Sequence, residues 1–311
     1  MTALRRHVVA VVAALFALAV GIALGGGPLS YVPDDDEEAP PSSTREEPGQ
    51  AEEQPGSSEV DPAATFASAF AASVAPVVYD SRLQGHPTAI LAMPGADPDV
   101  VEGMSAHVRA AGGGLTGVFT LDASATALSE TSLIDTLGSQ LMTQLDDDRI
   151  DPQVSTYVRF GQLLGLAVAT PVRGGLRADE SAKTIRASFA EAGLLTSPDD
   201  ARLAPLLLVV LPPNDADDQD LQVSAGVYRG LAIGLGDNPA GVVVLADSAS
   251  GRSGILAELR EDGDVTAGVS TVDGSDTGVG QVTAMLALIQ SLDSTVGAYG
   301  ASGSDGAVPL S

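Results

Sequence analysis

The chain has 311 residues, no cysteine, no tryptophan and a formal net charge of −26, which excludes disulfides, thiolate metal sites and a cysteine nucleophile. The charge divides unevenly, with +2 before residue 8, −10 between residues 28 and 61, and −18 from residue 62 onward. Twelve basic against thirty acidic residues in that last part argue against nucleic acid or anionic lipid as a partner, because both need basic patches.

Val8 to Gly27 carries no charge over 20 residues, and as a helix it covers ~30 Å, one hydrocarbon core. Arg5 and Arg6 precede it and eleven acids follow between Asp34 and Asp61, so the basic-side rule predicts a cytoplasmic N-terminus and an exported body. A cleaved secretory signal is the competing reading, and the twin Arg is read as topogenic charge rather than as a twin-arginine export signal. Within the span Ala17, Gly21 and Gly25 recur every four residues, a small-residue face on which a helix partner or a second copy could pack. From Pro28 to Pro62 the composition is Pro, Glu, Asp, Ser, Gly and Gln, which predicts a disordered acidic linker holding the next domain away from the bilayer.

Asp61-Pro62 supplies an N-cap and an N1 proline for a helix that places Phe66, Phe70 and Val74 on one face. The stretch "HPTAILAMPGADPDVVEGMSAHVRAAGGGLTGVFTLD" then reads as strand, helix and strand, with Val100, Val101, Met104 and Val108 on the helix's inner side. Residues 124–192 read mostly as helix. "LLLVVL" at 206–211 and "GVVVLA" at 241–246 read as strands buried on both faces, separated by the helical "VSAGVYRGLAIGL". A last strand, "GVSTVD", leads through "GSDTGVG" into the helix "QVTAMLALIQSL". The fold class expected over residues 62–311 is therefore α/β, a mainly parallel sheet of about five strands flanked by helices.

Catalytic motifs fail in context. "GGGLTG" at 112–117 satisfies G-x-G-x-x-G but closes a helix and opens a strand, the reverse of a dinucleotide loop. After Gly27 the histidines are His86 and His107, and neither lies near a nucleophile motif. "DDDR" at 146–149 spreads its carboxylates around a helix end. Asp273 ends a strand and precedes a helix, a position open to ligand contact and to capping alike. For a metal, Met104 and His107 are three apart on one helix and form a soft thioether and imidazole pair suited to Cu(I), with Met93 at the end of the preceding strand as a third candidate. Ordinary core packing is the alternative for all three. No enzyme activity and no resident cofactor are expected; copper enters as a bound or transported ligand, and the linker carboxylates, which could also hold calcium, are read as a solvated charge run.

Three segments carry a family resemblance: "LRRHVVAVVAALFALAVGIALGGG", "SRLQGHPTAILAMPGADPDVVEGMSAHVRAAGG" and "STVDGSDTGVGQVTAMLALIQSLDSTVGAYG". Together, in this order, they resemble the mycobacterial copper transport outer-membrane protein family, MctB. The resemblance implies an actinobacterial envelope protein linked to copper homeostasis or efflux. Relatives have also been placed in cell-envelope assembly and division beside a membrane partner, which is the alternative function. Family members carry a heptad-patterned coiled-coil stalk after the anchor, where this chain has its acidic, proline-rich linker, so stalk-driven oligomerisation is not implied. No copper ligand is carried over from the family. One span cannot enclose a pore, so conduction would require several copies.

Overall fold

The computed structural model describes residues 62–214 and 221–309. Arg5, Arg6, Ala17, Gly21, Gly25 and the acidic stretch lie outside them. A compact unit runs from Ser68 to Ser311.

Helix α1 (Pro62–Tyr79) opens the described chain, followed by β1 (Thr88–Ala92), α2 (Pro98–Ala110) and β2 (Leu115–Leu121). The expected strand-helix-strand unit is present, and β1 and β2 are parallel. Three helices follow, α3 (Thr131–Leu145), α4 (Thr156–Val168) and α5 (Glu180–Glu191), and then the two-residue strand β3 (Leu195–Thr196). The remainder alternates: β4 (Leu206–Val210), α6 (Leu221–Gly236), β5 (Gly241–Ala246), the six-residue helices α7 (Ser248–Ser253), α8 (Ile255–Arg260) and α9 (Gly263–Gly268), β6 (Ser270–Asp273), α10 (Gly278–Gln290) and β7 (Ala298–Tyr299). The sheet order is β3-β2-β1-β4-β5-β6-β7, parallel except at β2 and β3. Five strands match the expected ones, and the two added strands are the two-residue edges.

Residues β1, β4 and β5 are buried along their whole length, as apolar runs covered on both faces must be. On one face Ala89, Leu91, Leu207, Val209, Val242 and Val244 pack with α3 to α6, where Phe160 and Phe189 meet edge to face at 5.0 Å between centroids. The other face is covered by α2, which packs on β1 and β2, and by α10, which packs on β4, β5 and β6. Helices α4 and α6 cross closely because glycines line the contact. A Cβ on Gly161 would stand 2.5 Å from the Leu231 carbonyl oxygen, so the two backbones touch where a side chain would hold them apart.

Helix α1 corrects one expectation. Its buried residues are Ala71, Ala75 and Tyr79, while Phe66 is 67% exposed and Phe70 and Val74 are only half-buried. Two small alanines let the helix lie close to its neighbours, and two hydrogen bonds fix its rotation: Gly278 N–H to Ser68 Oγ at 3.3 Å, and the Tyr79 hydroxyl to His107 Nδ1 at 2.9 Å. Among the described residues α1 is the helix whose length and composition suffice to cross a membrane.

Candidate functional site

In an open parallel sheet, ligands bind beyond the carboxyl ends of the strands where the strand order reverses. Here that point lies between β1 and β4. Strand β1 runs into the turn Met93-Pro94-Gly95 and β4 into Leu211-Pro212-Pro213. Gly95 has φ +79, and a Cβ there would lie 3.4 Å from Pro212 Cβ. The two turns therefore meet over the switch point.

Polar groups collect further along the same edge, at the end of β6. Asp273 is 1% exposed, and its Oδ1 accepts from Arg260 Nη2 at 2.9 Å. The Ser302 N–H also faces this carboxylate, 3.2 Å from Oδ2. All three Arg260 side-chain nitrogens are engaged: Nε donates to Thr271 Oγ1 at 3.0 Å, Nη1 to Ser302 Oγ at 2.8 Å, and Nη2 also to the Tyr299 carbonyl at 2.7 Å. The cap of α10 is Thr277, whose hydroxyl accepts from Gly280 N–H. Asp273 therefore does not cap α10. It anchors a buried ion pair that ties α8, β6 and the segment after β7 together. Beside it, Asp247 caps α7 and accepts the Asn214 N–H, while Asp276 Oδ1 accepts both N–H and hydroxyl of Ser248 at 2.9 Å.

The three soft-ligand candidates are divided by the sheet. Met93 continues β1 on the α3–α6 face, where it lines a small apolar void with Tyr228, Leu231, Leu235 and Val244. Burial pushes the Tyr228 hydroxyl up to about 12, partly offset by its hydrogen bond to Thr126. Met104 is fully buried under α2 on the opposite face. His107 lies one turn further along α2, half-buried, so the fold brings Met104 and His107 onto one helix and keeps Met93 away from both.

His107 sits in a chain of side-chain hydrogen bonds. The Tyr79 hydroxyl and His107 Nδ1 share a hydrogen bond at 2.9 Å whose direction is set by the imidazole tautomer, and the Gln281 side chain also bonds the ring. Gln281 Nε2 in turn donates to the Ser275 carbonyl at 2.9 Å. Burial lowers the His107 pKa, and the Gln281 contact opposes that shift. Metal ligation through Nδ1 would therefore require release of the Tyr79 hydroxyl. Tyr79 and Gln281 lie 28 residues before and 174 after His107 in sequence, and no periodicity links positions so far apart. The "DDDR" acids behave as a helix end: Asp146 caps α3 with φ +47, and Arg149 holds Asp147 at 2.5 Å and lowers its pKa. Among the described residues no group of three His, Asp or Glu is placed to hold a metal ion.

Against known proteins, the chain matches the family described as copper transport outer membrane protein, MctB, over residues 1–310. Curated relatives named copper transporter MctB from Mycobacterium bovis and Mycobacterium tuberculosis are each 27% identical to it over 317 residues, covering 96% of both chains.

Proposed function

Because the chain belongs to the MctB family of copper transport outer membrane proteins, we propose that it acts in copper homeostasis or efflux at the cell envelope, without chemistry of its own. The observation that carries this reading is the extent of the match, which includes the apolar N-terminal segment and the whole α/β unit. The uncharged run from Val8 to Gly27 supports a single membrane anchor, and the Arg5 and Arg6 pair before it supports a cytoplasmic N-terminus with the α/β unit on the far side.

What supports a non-catalytic role is how the polar groups are spent. Asp273 is held by Arg260, and His107 by Tyr79 and Gln281, while prolines close over the switch point where a parallel sheet usually meets its ligand. Copper enters this reading as cargo. A single span cannot line a conduit, so passage of the ion through this protein alone would require several copies.

The test is a deletion strain of the encoding organism, grown across a copper series and complemented with the full chain. Loss of copper tolerance with a rise in cell-associated copper, both restored by the chain, is the expected result. Unchanged tolerance and unchanged copper content would refute the reading.

A further inference from the structure

The net charge of −18 after residue 62 hides an uneven distribution of its basic side chains. Arg149, Arg159, Lys183, Arg229 and Arg260 each hold a carboxylate within 4.0 Å. Arg186 is buried over the Phe119 ring, and Arg252, which ends α7 near the carboxyl edge, is exposed and also has no ion pair among the described residues. The remaining five, Arg82, Arg109, Arg173, Arg177 and Arg202, are all exposed and have no ion pair among the described residues.

Those five lie along the amino edge of the sheet. Arg82 belongs to the turn before β1, and Arg109 ends α2, whose Ala111 carbonyl accepts the Leu83 N–H. Across β1, Gly175 packs against Pro87 and Leu203, and Leu176 bridges to Leu203. This places Arg173 and Arg177 on either side of that contact. Arg202 donates its backbone N–H to the Thr116 carbonyl at 3.2 Å, at the start of β2. Two of the large apolar side chains most open to solvent lie in the same loop: Val172 is 46% exposed and Leu176 is 43% exposed. Asp80, Asp179, Glu180, Asp199 and Asp200 lie within three residues of these arginines in the chain; Asp179 caps α5 and Glu180 pairs with Lys183.

The five guanidinium groups at this edge are exposed and free of ion pairs among the described residues, so their donors are available to an anionic partner in exchange for water. All five are arginine, the residue whose planar fork suits carboxylate and phosphate and which is enriched in protein interfaces. Val172 and Leu176 decide between anions. A polyphosphate or sugar acid gains nothing from two aliphatic side chains between the arginines, whereas a peptide with apolar residues among its carboxylates buries them. We propose that the amino edge of the sheet docks an acidic segment of a partner protein, with its carboxylates on Arg173, Arg177 and Arg202 and its apolar side chains on Val172 and Leu176. Arg82 and Arg109 extend the same strip.

The test uses the full chain in nonionic detergent and three fluorescent probes of equal charge: a peptide of Glu-Glu-Leu repeats, an all-Glu peptide and polyphosphate. The Glu-Glu-Leu peptide should bind about tenfold tighter than the all-Glu peptide, from burial of its leucines, and all binding should weaken steeply with salt. The R173E/R177E/R202E variant should lose at least about tenfold for that peptide. The V172S/L176S variant should reduce it to the all-Glu level. Melting of each variant reports whether it is folded, and R82E/R109E serves as a second charge reversal if the triple variant is not. Equal affinity for the two peptides, tighter binding of polyphosphate, or binding unmoved by either charge reversal overturns the proposal.

Discussion

Replacing Asp273 with Ala should be among the most damaging single changes in the domain. The Asp273 side chain is 1% and the Arg260 side chain 10% exposed, so the substitution leaves a guanidinium out of reach of water and without its counter-charge. Arg260 keeps Thr271 Oγ1, Ser302 Oγ and the Tyr299 carbonyl as acceptors, so the loss is mainly of charge pairing, together with the Ser302 N–H contact. Removing one member of a buried pair costs about 3–5 kcal/mol. For a domain of this size each kcal/mol shifts Tm by ~2–4 °C, so Tm should fall by ~6–20 °C in circular dichroism melts of the full chain. Replacing both members, Asp273→Leu with Arg260→Met, removes the stranded charge and should recover at least about half of the loss. A single substitution costing less than ~1 kcal/mol, or a double variant no better than the single, would show that the pair does not hold this edge together.

Three further outcomes follow from the geometry. Burial lowers the His107 pKa in the fold, so between that lowered value and ~6.5 the unfolded chain binds more protons than the folded one and stability rises with pH. Acidification below pH ~6.5 should therefore destabilise the protein, and urea midpoints of His107→Gln across pH 5.5–7.5 should show a flatter slope. Met104→Leu should cost less than ~1.5 kcal/mol where Met104→Ala costs about 2–5, because the site is fully buried. The leucine variant is the one that separates packing from Cu(I) binding in a competition titration against a chelator. Gly161→Ala forces apart the α4 and α6 backbones at their crossing, and it should lower stability by about 1–3 kcal/mol in urea titration, whereas alanine at exposed Gly263, whose surroundings are open, should not.

The central strands were legible because β1, β4 and β5 are continuous apolar runs of five or six residues, a pattern that only a doubly covered sheet rewards. Strands β3 and β7 were not, since two residues carry no periodicity and their pairing depends on what the rest of the sheet presents. The face of α1 was misassigned for a related reason. The largest apolar residues suggested the inner side, yet the rotation is set by Ser68 and Tyr79, whose partners Gly278 and His107 lie in other elements. The position of Asp273 was legible and its role was not, because Arg260 lies 13 residues away on a helix too short to leave a periodic signature. The soft-ligand candidates split according to range: Met104 and His107 share a helix, which spacing reveals, whereas Met93 faces the far side of the sheet, which only the strand's alternation beyond Ala92 decides.

The course of α1 also has a mechanical side. Its Ser68 meets Gly278 beside the carboxyl edge, and its Tyr79 meets His107 near the end of α2 that returns to the amino edge. A load applied at the first turns of α1 would therefore act in shear on its contacts with α2 and α10, at His107 and Gly278, before any strand is reached. The buried Ala71, Ala75 and Tyr79 and the hydrogen bonds of Ser68 and Tyr79 resist that load, while the central strands β1, β4 and β5 are buried along their whole length. Under force this helix would slip first, as a fuse ahead of the core.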